Sequence, residues 1–581
     1  MSLKKTCIRT LAVLLVLSMA WGGLASAQVS AEVIHNEKGV LPIVNEPITL
    51  TVGVSQNTMV QDWQTNKQTL YLEEKTGINL EFVVYPLNEM QTKLELAIAA
   101  GGGDLPDILL FETPGIRQSV LMPWAEAGMI LPLTEYYDSL LYWGKETLAL
   151  SDDIDLDFVK KYLTSYDGEI YGVYGITESI NNQYAISRVL MYGPWLEALD
   201  KEMPATTEEF YNYLIDMRDK DPNGNGIRDE IPFSGYSGAL DNAKRFLMTP
   251  FVYTQQDYWI AEDGVISSAA TKDGWREGLR YVNKLFSEGL IDPAMFTQDQ
   301  ATLTVALSQE PNVIGGYARW STTNLAADDA DRYLYRRLEQ LQGPDGKTVK
   351  SWWPSMPTID AVITKNCEHP EVAFMLLDYL NSIEMSIITR YGYEGVNWFP
   401  NDEETIKAQQ EKFIEFWQNQ PENLLEKFYG EDALPLVAKN RYDTTQWGTL
   451  QNDWWAGVGP DSMTYHLDTQ FYDLGNLDNE LSAMSYVNEF IAKYAYEQAA
   501  QYRDISKVVT GLVFTQEEQE VVNRYFSEIL SYINESWAAF AIGAMDVNND
   551  GVWQDYLNTL EKMGIDKVTE AVQTCYTRMN Q

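Results

Sequence analysis

Residues 78–111 read INLEFVVYPLNEMQTKLELAIAAGGGDLPDILLF, and this stretch decides the fold class. Apolar residues alternate from Leu80 to Val84, as they do in a strand with one buried face. Residues 87–100 show helical spacing, and a glycine-rich turn then leads into an apolar strand at 108–111. A strand, a helix and a second strand in this order are typical of a parallel sheet with helical crossovers.

The alternation of strands and helices begins upstream of residue 78, and the C-terminal part of the chain is mostly helical. Residues 48–54 alternate as a first strand, and residues 59–76 have the pattern of a helix, so the class is α/β. Residues 28–46 carry little periodicity and are predicted to form a loose leader. Thr206 and Glu209 form the sequence of a capping box, which predicts a helix beginning there. From about residue 485 the pattern is mostly helical to the end.

Length and charge bound the classes of function. A chain of 581 residues is long enough for two or more domains with sizeable cores. Its formal net charge of −42 disfavours nucleic acid and anionic membrane surfaces as partners. The chain has 17 Trp, 35 Tyr and 19 Phe, more than cores alone require, so we expect some rings to line a groove.

The N-terminal residues 1–27 have the features of a signal peptide. A basic start is followed by a short apolar run and an A-x-A cleavage site that ends at Ala27. Cys7 precedes the apolar run, so no lipid anchor is evident, and we expect a secreted or extracytoplasmic protein. Cys367 and Cys575 remain in the mature chain, either as two buried thiols or as a disulfide pair.

Residues 221–230 read DPNGNGIRDE and have the pattern of a calcium-binding loop. Oxygen-bearing side chains recur at alternate positions, a glycine allows the sharp turn, and a backbone carbonyl can point inward. Position 12 is Pro232 where an EF-hand has a bidentate glutamate, so the match is to an EF-hand-like loop with Glu230 as the nearest substitute. The alternative is an Asn/Gly-rich turn without an ion. The predicted Ca²⁺ ligands are Asp221, Asn223, Asn225, the Ile227 carbonyl, Asp229 and Glu230.

Residues 546–551 read DVNNDG and imitate the start of such a loop. The later ligand positions are Gln554 and Leu557, and these do not suit a cation. We therefore expect a turn that caps the following helix, with a second cation as the alternative.

Several segments together resemble the extracellular solute-binding proteins of family 1, which deliver carbohydrates to ABC importers. The likeness extends over nearly the whole mature chain and depends on the order of the segments. They are QTKLELAIAAGGGDLPDILLF at 91–111, WAEAGMILPL at 124–133, DGEIYGVY at 167–174, PATTEEF at 204–210, SEGLIDPAMFTQD at 287–299, residues 361–380, YEGVNW at 393–398 and EKMGIDKVTEAVQTCYTR at 561–578. The loop at 221–230 also resembles a calcium site of the alginate-binding members, where calcium is structural.

This resemblance implies a periplasmic-binding-protein-like fold, with two α/β lobes joined by a hinge of crossing strands and a helical C-terminal region. One lobe is expected from residues 47–180 plus 362–450. The other is expected from residues 185–358 plus 455–581. The crossings are expected near 181–187, 359–363 and 450–456, and closure about them would enclose a ligand.

A sugar site needs aromatic faces for stacking and polar side chains for the hydroxyl groups. Glu112 and Thr113 follow an apolar strand, where ligand loops of open α/β sheets lie. Arg319 and Trp320 lie in a segment that resembles a ligand-contacting segment of maltose-binding proteins. The predicted ligand-binding residues are Trp63, Glu112, Thr113, Arg319, Trp320, Trp353, Glu394, Asn397, Trp398 and Trp455. The alternative for each tryptophan is a place in a core.

The favoured function is a non-catalytic, monomeric protein that captures an oligosaccharide and hands it to an ABC permease in the membrane. It would associate with the cell surface through that permease. A secreted glycan-cleaving enzyme is a second hypothesis, although 84 acidic residues make a carboxylate pair uninformative and no nucleophile or zinc-protease motif is present. A third is a binding protein for peptides or another non-sugar solute, because a fold does not define its ligand.

Overall fold

The computed structural model describes residues 34–57, 60–86, 89–112, 115–149, 154–176, 189–255, 257–318, 335–349, 356–391, 393, 398–400, 403–419, 434–435, 446–448, 455, 459 and 505–580. Two hydrophobic cores lie within these residues. The core of the first unit draws on residues 43–176, 359–388 and Trp455. The core of the second unit draws on residues 189–341 and 508–572.

The elements up to residue 176 are β1 (Ile48–Ser55), α1 (Lys67–Thr76), β2 (Ile78–Tyr85), α2 (Met90–Ala99), β3 (Ile108–Leu110), α3 (Gln118–Glu126), α4 (Thr134–Ser139), α5 (Trp143–Leu148), α6 (Leu156–Leu163) and β4 (Val173–Gly175). Residues 189–349 form β5 (Val189–Tyr192), α7 (Gly193–Ala198), α8 (Thr207–Asp219), α9 (Leu240–Met248), β6 (Trp259–Glu262), β7 (Val265–Ser268), α10 (Asp273–Ser287), α11 (Gln300–Leu307), β8 (Gly316–Ala318) and β9 (Tyr335–Leu338). The remaining elements are β10 (Thr358–Ile363), α12 (Pro370–Leu380), α13 (Ile383–Tyr391), β11 (Trp398–Pro400), α14 (Glu403–Gln418), β12 (Gln446–Gly448), α15 (Gln516–Ala541), α16 (Asp550–Met563) and α17 (Ile565–Met579).

The first unit is built on a five-stranded sheet in the order β2-β1-β3-β10-β4. β1 pairs in parallel with β2 over its whole length and with β3 through Val52 and Gly53. β10 runs antiparallel to its two neighbours, β3 and β4. The predicted strand–helix rhythm and the α/β class are therefore confirmed. The first predicted helix is shorter than expected, because Asn66 caps α1 by accepting a hydrogen bond from the Gln68 amide.

Residues 34–46 correct the prediction of a loose leader. Ile43 is fully buried and Val44 is 2 % exposed, so both belong to the first core. The Val44 amide donates a hydrogen bond to the Thr76 carbonyl at 3.2 Å, which fastens this segment to the end of α1. Apolar burial without a regular period orders the segment, and periodicity analysis does not detect such a segment.

Two expected boundaries also shift. β10 lies wholly in the sheet of the first unit, so the chain has entered this unit by Thr358, at the edge of the crossing expected near 359–363. The reason is that β10 is almost fully buried, with Ile359 to Ile363 shielded between β3 and β4. Trp455 belongs to the first core and not to the start of the second lobe. The crossing at 181–187, and that at 450–456 apart from Trp455, lie outside the described residues.

The second unit contains a three-stranded antiparallel sheet in the order β8-β5-β9, surrounded by helices. Thr206 and Glu209 make the predicted capping box at the start of α8. Helices α15 to α17 complete the unit, and Trp537 and Tyr556 are 1 % exposed within its core. The helical C-terminal region is thus confirmed over residues 516–579.

The turn at 546–551 is a helix cap, as predicted. The Asn549 side chain accepts hydrogen bonds from the Gly551 and Val552 amides at the start of α16. Asp550 forms an ion pair with Arg276 at 2.8 Å. These side chains are therefore engaged in joining α16 to its neighbours.

Cys367 and Cys575 are both free and buried, which decides between the two alternatives for the thiols. Within the described residues, no single helix is long and apolar enough to cross a membrane. Helices α12 and α13 reach that length and composition only as a pair bent by 66°.

Candidate ligand crevice and cation-binding loop

The strand order creates a topological switch point at the carboxyl ends of β1 and β3, where a ligand crevice is expected. β1 is followed by β2 on one side, and the chain then passes over β1 to form β3 on the other side. Right-handed crossovers that run in opposite directions place their helices on opposite faces of a sheet, and we therefore expect the strand ends between them to be left uncovered. Ligands of open α/β sheets bind at such points.

Two polar side chains meet at this point. Asn57 follows β1, Glu112 follows β3, and the Asn57 amide nitrogen donates a hydrogen bond to Glu112 Oε1 at 3.2 Å. Glu112 is exposed and Asn57 is half-buried. Glu112 was expected in this place, whereas Asn57 was not predicted. Its position directly after a predicted strand is the signal that could have identified it.

The two strand ends are held in one register by Thr51 and Asp107. The Thr51 amide and hydroxyl donate to Asp107 Oδ2 at 2.8 and 2.7 Å, and the Asp107 amide donates to Thr51 Oγ1 at 2.9 Å. On the far side, the Phe111 amide donates to the Asp360 carbonyl at 2.8 Å. The Gly459 amide donates to the Phe111 carbonyl at 3.0 Å, so this residue lies against the end of β3.

Trp63 and Trp455 form an aromatic cluster with Phe82. The ring centroids lie 5.5 Å apart for Trp63 and Phe82, 6.2 Å for the two tryptophans and 5.9 Å for Phe82 and Trp455. Trp455 Nε1 also donates to Thr69 Oγ1 at 3.0 Å. Trp63 is 5 % exposed and Trp455 is 1 % exposed. Both rings have a packing role, and their contact with a ligand stays a prediction.

Of the other predicted ligand contacts, one lies in a described strand and the rest lie outside the described residues. Trp398 begins β11, which pairs with β12 through Gly448, and only its backbone is described. The remaining positions lie outside the described residues: Thr113, Arg319, Trp320, Trp353, Glu394 and Asn397.

The loop at 221–230 turns its side-chain oxygens onto its own backbone. Asp221 accepts hydrogen bonds from the Asn225 and Gly226 amides at 3.1 and 3.0 Å, and Asn225 accepts from the Ile227 amide at 2.7 Å. Gly224 and Gly226 have φ of 70° and 74°, which a side chain would disfavour. The Asn225 side-chain nitrogen donates to both carboxylate oxygens of Asp229 at 3.1 and 3.2 Å. The turn is therefore formed, and its binding of an ion stays a prediction.

Glu230 is the member of this loop whose charge is least satisfied. Both of its carboxylate oxygens are shielded from solvent and have no hydrogen-bond partner among the described residues. Burial raises the pKa of Glu230, and the neighbouring carboxylates of Asp221 and Asp229 raise it further. A cation among these oxygens would remove both penalties. No three His, Cys, Asp or Glu side chains of the described part of the chain are grouped as a metal site, and half of the predicted ligands here are amide or carbonyl groups.

The segment after the loop is paired with β8. The Ile231 amide donates to the Val313 carbonyl at 2.8 Å, and the Ser234 amide donates to the Gly316 carbonyl at 2.9 Å. The Asn223 side chain donates to the Asn312 carbonyl at 3.3 Å. The loop is therefore anchored by α8 on one side and by the sheet of the second unit on the other.

The two-unit α/β fold and the polar pair at a strand switch point are typical of a protein that binds a small molecule. Residues 56–385 match the family model described as bacterial extracellular solute-binding protein. The match spans more than half of the chain, and the protein belongs to this family.

Three relatives illustrate the likeness. The fructooligosaccharide ABC transporter substrate-binding protein FusA of Streptococcus pneumoniae is 25 % identical over 516 residues, which is 87 % of this chain and 85 % of the relative. The structure of a FusA EF-hand mutant with fructo-nystose has a TM-score of 0.65 at 22 % identity and covers 92 % of this chain and 99 % of that one. The structure of alginate-binding protein AlgQ2 without calcium ion has a TM-score of 0.59 at 18 % identity with the same coverage. These structures confirm the expected fold.

Proposed function

We propose that this protein captures an oligosaccharide outside the membrane and delivers it to the permease of an ABC importer. The observation that carries the proposal is the hydrogen-bonded pair of Asn57 and Glu112 at the switch point of the first sheet. A hydroxyl-rich ligand needs such paired donors and acceptors. The name of the relative FusA, a fructooligosaccharide-binding component of an ABC transporter, supports the same class of ligand.

The mechanism requires no chemical step. A ligand that contacts both units binds the closed arrangement more tightly than the open one, and this difference in affinity drives closure. The cost of closure is offset by the hydrogen bonds and ring contacts made on both sides. Release then depends on the permease favouring the open arrangement. The protein is expected to act as a monomer at the cell surface and to have no nucleic-acid partner.

A thermal-shift screen of residues 28–581 tests this function against its alternatives. The panel consists of neutral and acidic oligosaccharides, short peptides and amino acids, with calcium present. We expect a concentration-dependent rise in Tm with one class of glycan, and chromatography of the recovered glycan should show no cleavage. Cleavage would establish the glycan-cleaving enzyme instead, and a rise with peptides alone would establish the non-sugar binder.

We further propose that the loop at 221–230 holds a structural calcium ion. Its ligands would be Asp221, Asn223, Asn225, the Ile227 carbonyl, Asp229 and Glu230. The unpaired, shielded carboxylate of Glu230 supports the proposal, because an anion in that position is costly without a cation. The described relatives include an EF-hand mutant and a structure without calcium ion, so sites of this kind occur among them.

Chelation tests the cation. At a free calcium concentration of 100 times Kd, binding to the folded state alone contributes about 2.7 kcal/mol to the free energy of unfolding. We expect a chelator to lower the Tm of the wild type, and Glu230→Gln and Asp221→Ala to remove most of this response. Asp546→Ala, in the helix-capping turn, is the matched control and should keep it. An identical Tm with and without chelator in the wild type would show that the loop is only a turn.

A further inference from the structure

We propose that Asn57 is a specificity-determining residue that works with Glu112 to select neutral sugar hydroxyls over carboxylated sugars. This inference rests on the proposed function and names the ligand class of the same crevice. Glu112 is the acceptor in the pair, and Asn57 sets the orientation of its carboxylate.

The two strands that lead to the pair are in close contact. A Cβ atom on Gly53 of β1 would lie 2.7 Å from Leu109 Cδ2 and 2.8 Å from Pro106 Cγ, so β1 approaches β3 more closely than another residue would allow. The mutual hydrogen bonds of Thr51 and Asp107 prevent the two strands from sliding. Asn57 and Glu112 emerge from these strands within a few residues. The contact between the strands therefore fixes where the two segments that carry Asn57 and Glu112 leave the sheet.

The chemistry of the pair favours a hydroxyl donor. The Asn57 amide occupies Glu112 Oε1, whereas Glu112 Oε2 accepts no hydrogen bond within the described part of the chain. An ionised carboxylate can only accept, so it is matched by a ligand group that donates, such as a sugar hydroxyl. Hydrogen bonds to an ionised group are also the stronger ones.

A carboxylated sugar is disfavoured at the same place for two reasons. Its carboxylate offers no donor to Glu112 Oε2, and its charge has the same sign as that of Glu112. The net charge of −42 on the whole chain adds a repulsion of longer range that weakens with salt. The pair thus disfavours a carboxylated sugar because Glu112 Oε2 would receive no hydrogen bond from it and because the two negative charges repel each other.

Titration calorimetry with 1-kestose, maltotriose and trigalacturonate tests the proposal on the full mature chain. The variants are Asn57→Ala, Glu112→Gln and the double variant, with Glu81→Gln as control because Glu81 is an exposed glutamate on β2 of the same sheet. We expect the wild type to bind a neutral probe and to bind trigalacturonate at least tenfold more weakly. Each single variant should weaken the neutral probe tenfold or more without changing Tm.

Two results of these titrations distinguish a positioning role of Asn57 from a merely structural one. The double variant should bind little worse than the worse single variant, because both substitutions disrupt one interaction. Glu112→Gln should narrow the preference for the neutral probe over trigalacturonate, since it removes the charge and adds a donor. Variants that bind like the wild type, or a wild type that prefers trigalacturonate, would overturn this inference and leave the proposed function standing. A wild type that binds no oligosaccharide would remove the proposed function itself.

Discussion

Asp378 on α12 offers a prediction in which burial and hydrogen bonding oppose each other. It is 1 % exposed, and its carboxylate accepts hydrogen bonds from the Tyr142, Trp143 and Gly144 amides at 2.8, 3.0 and 2.8 Å. These amides begin α5, so the side chain joins two helices of the first unit. Burial raises the pKa of Asp378 to about 6, and the three donors only partly offset it.

The magnitude follows from the change in pKa between the unfolded and folded states. An increase from 3.8 to about 6 corresponds to about 3 kcal/mol at 1.36 kcal/mol per unit. Between these values the folded protein keeps a proton that the unfolded chain has lost. Stability therefore falls as pH rises, by about 1.4 kcal/mol per pH unit within the window from about 4 to about 6. Above that window the full penalty of the buried charge is present.

Asp378→Asn isolates this contribution, because the amide imitates the protonated acid and does not titrate. Urea unfolding of both proteins is followed by tryptophan fluorescence at half-unit steps from pH 4 to 7.5. The difference between their free energies of unfolding cancels the contribution of the other carboxyl groups. The free energy of unfolding of the wild type minus that of the variant should fall by about 2.4 kcal/mol across this range, since part of the change lies below pH 4. Asp157→Asn, at an exposed position of α6, controls for the loss of one carboxylate.

A difference that rises with pH would refute this reasoning. It would mean that the three backbone donors stabilise the ionised form by more than burial penalises it, which is the usual result for a well-capped carboxylate. A flat difference would mean that the two effects cancel. A rise would assign Asp378 to the favourable caps, whereas a flat difference would mean that its charge neither stabilises nor destabilises the fold.

Two further predictions concern close contacts and thiols. Gly511→Ala should lower the free energy of unfolding by about 1–3 kcal/mol more than Gly543→Ala. Both glycines have positive φ, but only at position 511 would the new Cβ lie 2.3 Å from the Tyr162 ring, and urea unfolding of both variants measures the difference. Burial raises the pKa of Cys367 to about 12 and that of Cys575 to about 11. Ellman's reagent should therefore react with these free thiols only when the protein unfolds. A Tm that falls when reductant is added would instead indicate a disulfide.

The parts of the fold that depend on local pattern could be predicted from the sequence. Alternation identified β1 and β2, and the spacing of polar and apolar residues identified the capping box of α8 and the cap of α16. Ile43 and Val44 could not be predicted, because two apolar residues in an aperiodic segment do not show which surface will cover them. For Trp63 and Trp455 the choice between ligand contact and core packing stayed open for a related reason. A tryptophan near a strand end has the same local sequence whether its ring faces a crevice or a core.

The pair of Asn57 and Glu112 shows that the order of the strands in the sheet, and not only the position of each strand in the sequence, decides which residues meet. Glu112 could be assigned because it directly follows an apolar strand, and Asn57 also follows one, yet nothing local shows that these strands are neighbours. In the order β1-β2-β3 the two strands would be two spacings apart, about 9–10 Å, and an asparagine could not reach the glutamate. In the observed order β2-β1-β3 they are one spacing apart, about 4.8 Å, and the two side chains form a hydrogen bond. The candidate specificity pair therefore depends on the passage of the chain over β1, which is a tertiary choice made by burial of the whole sheet.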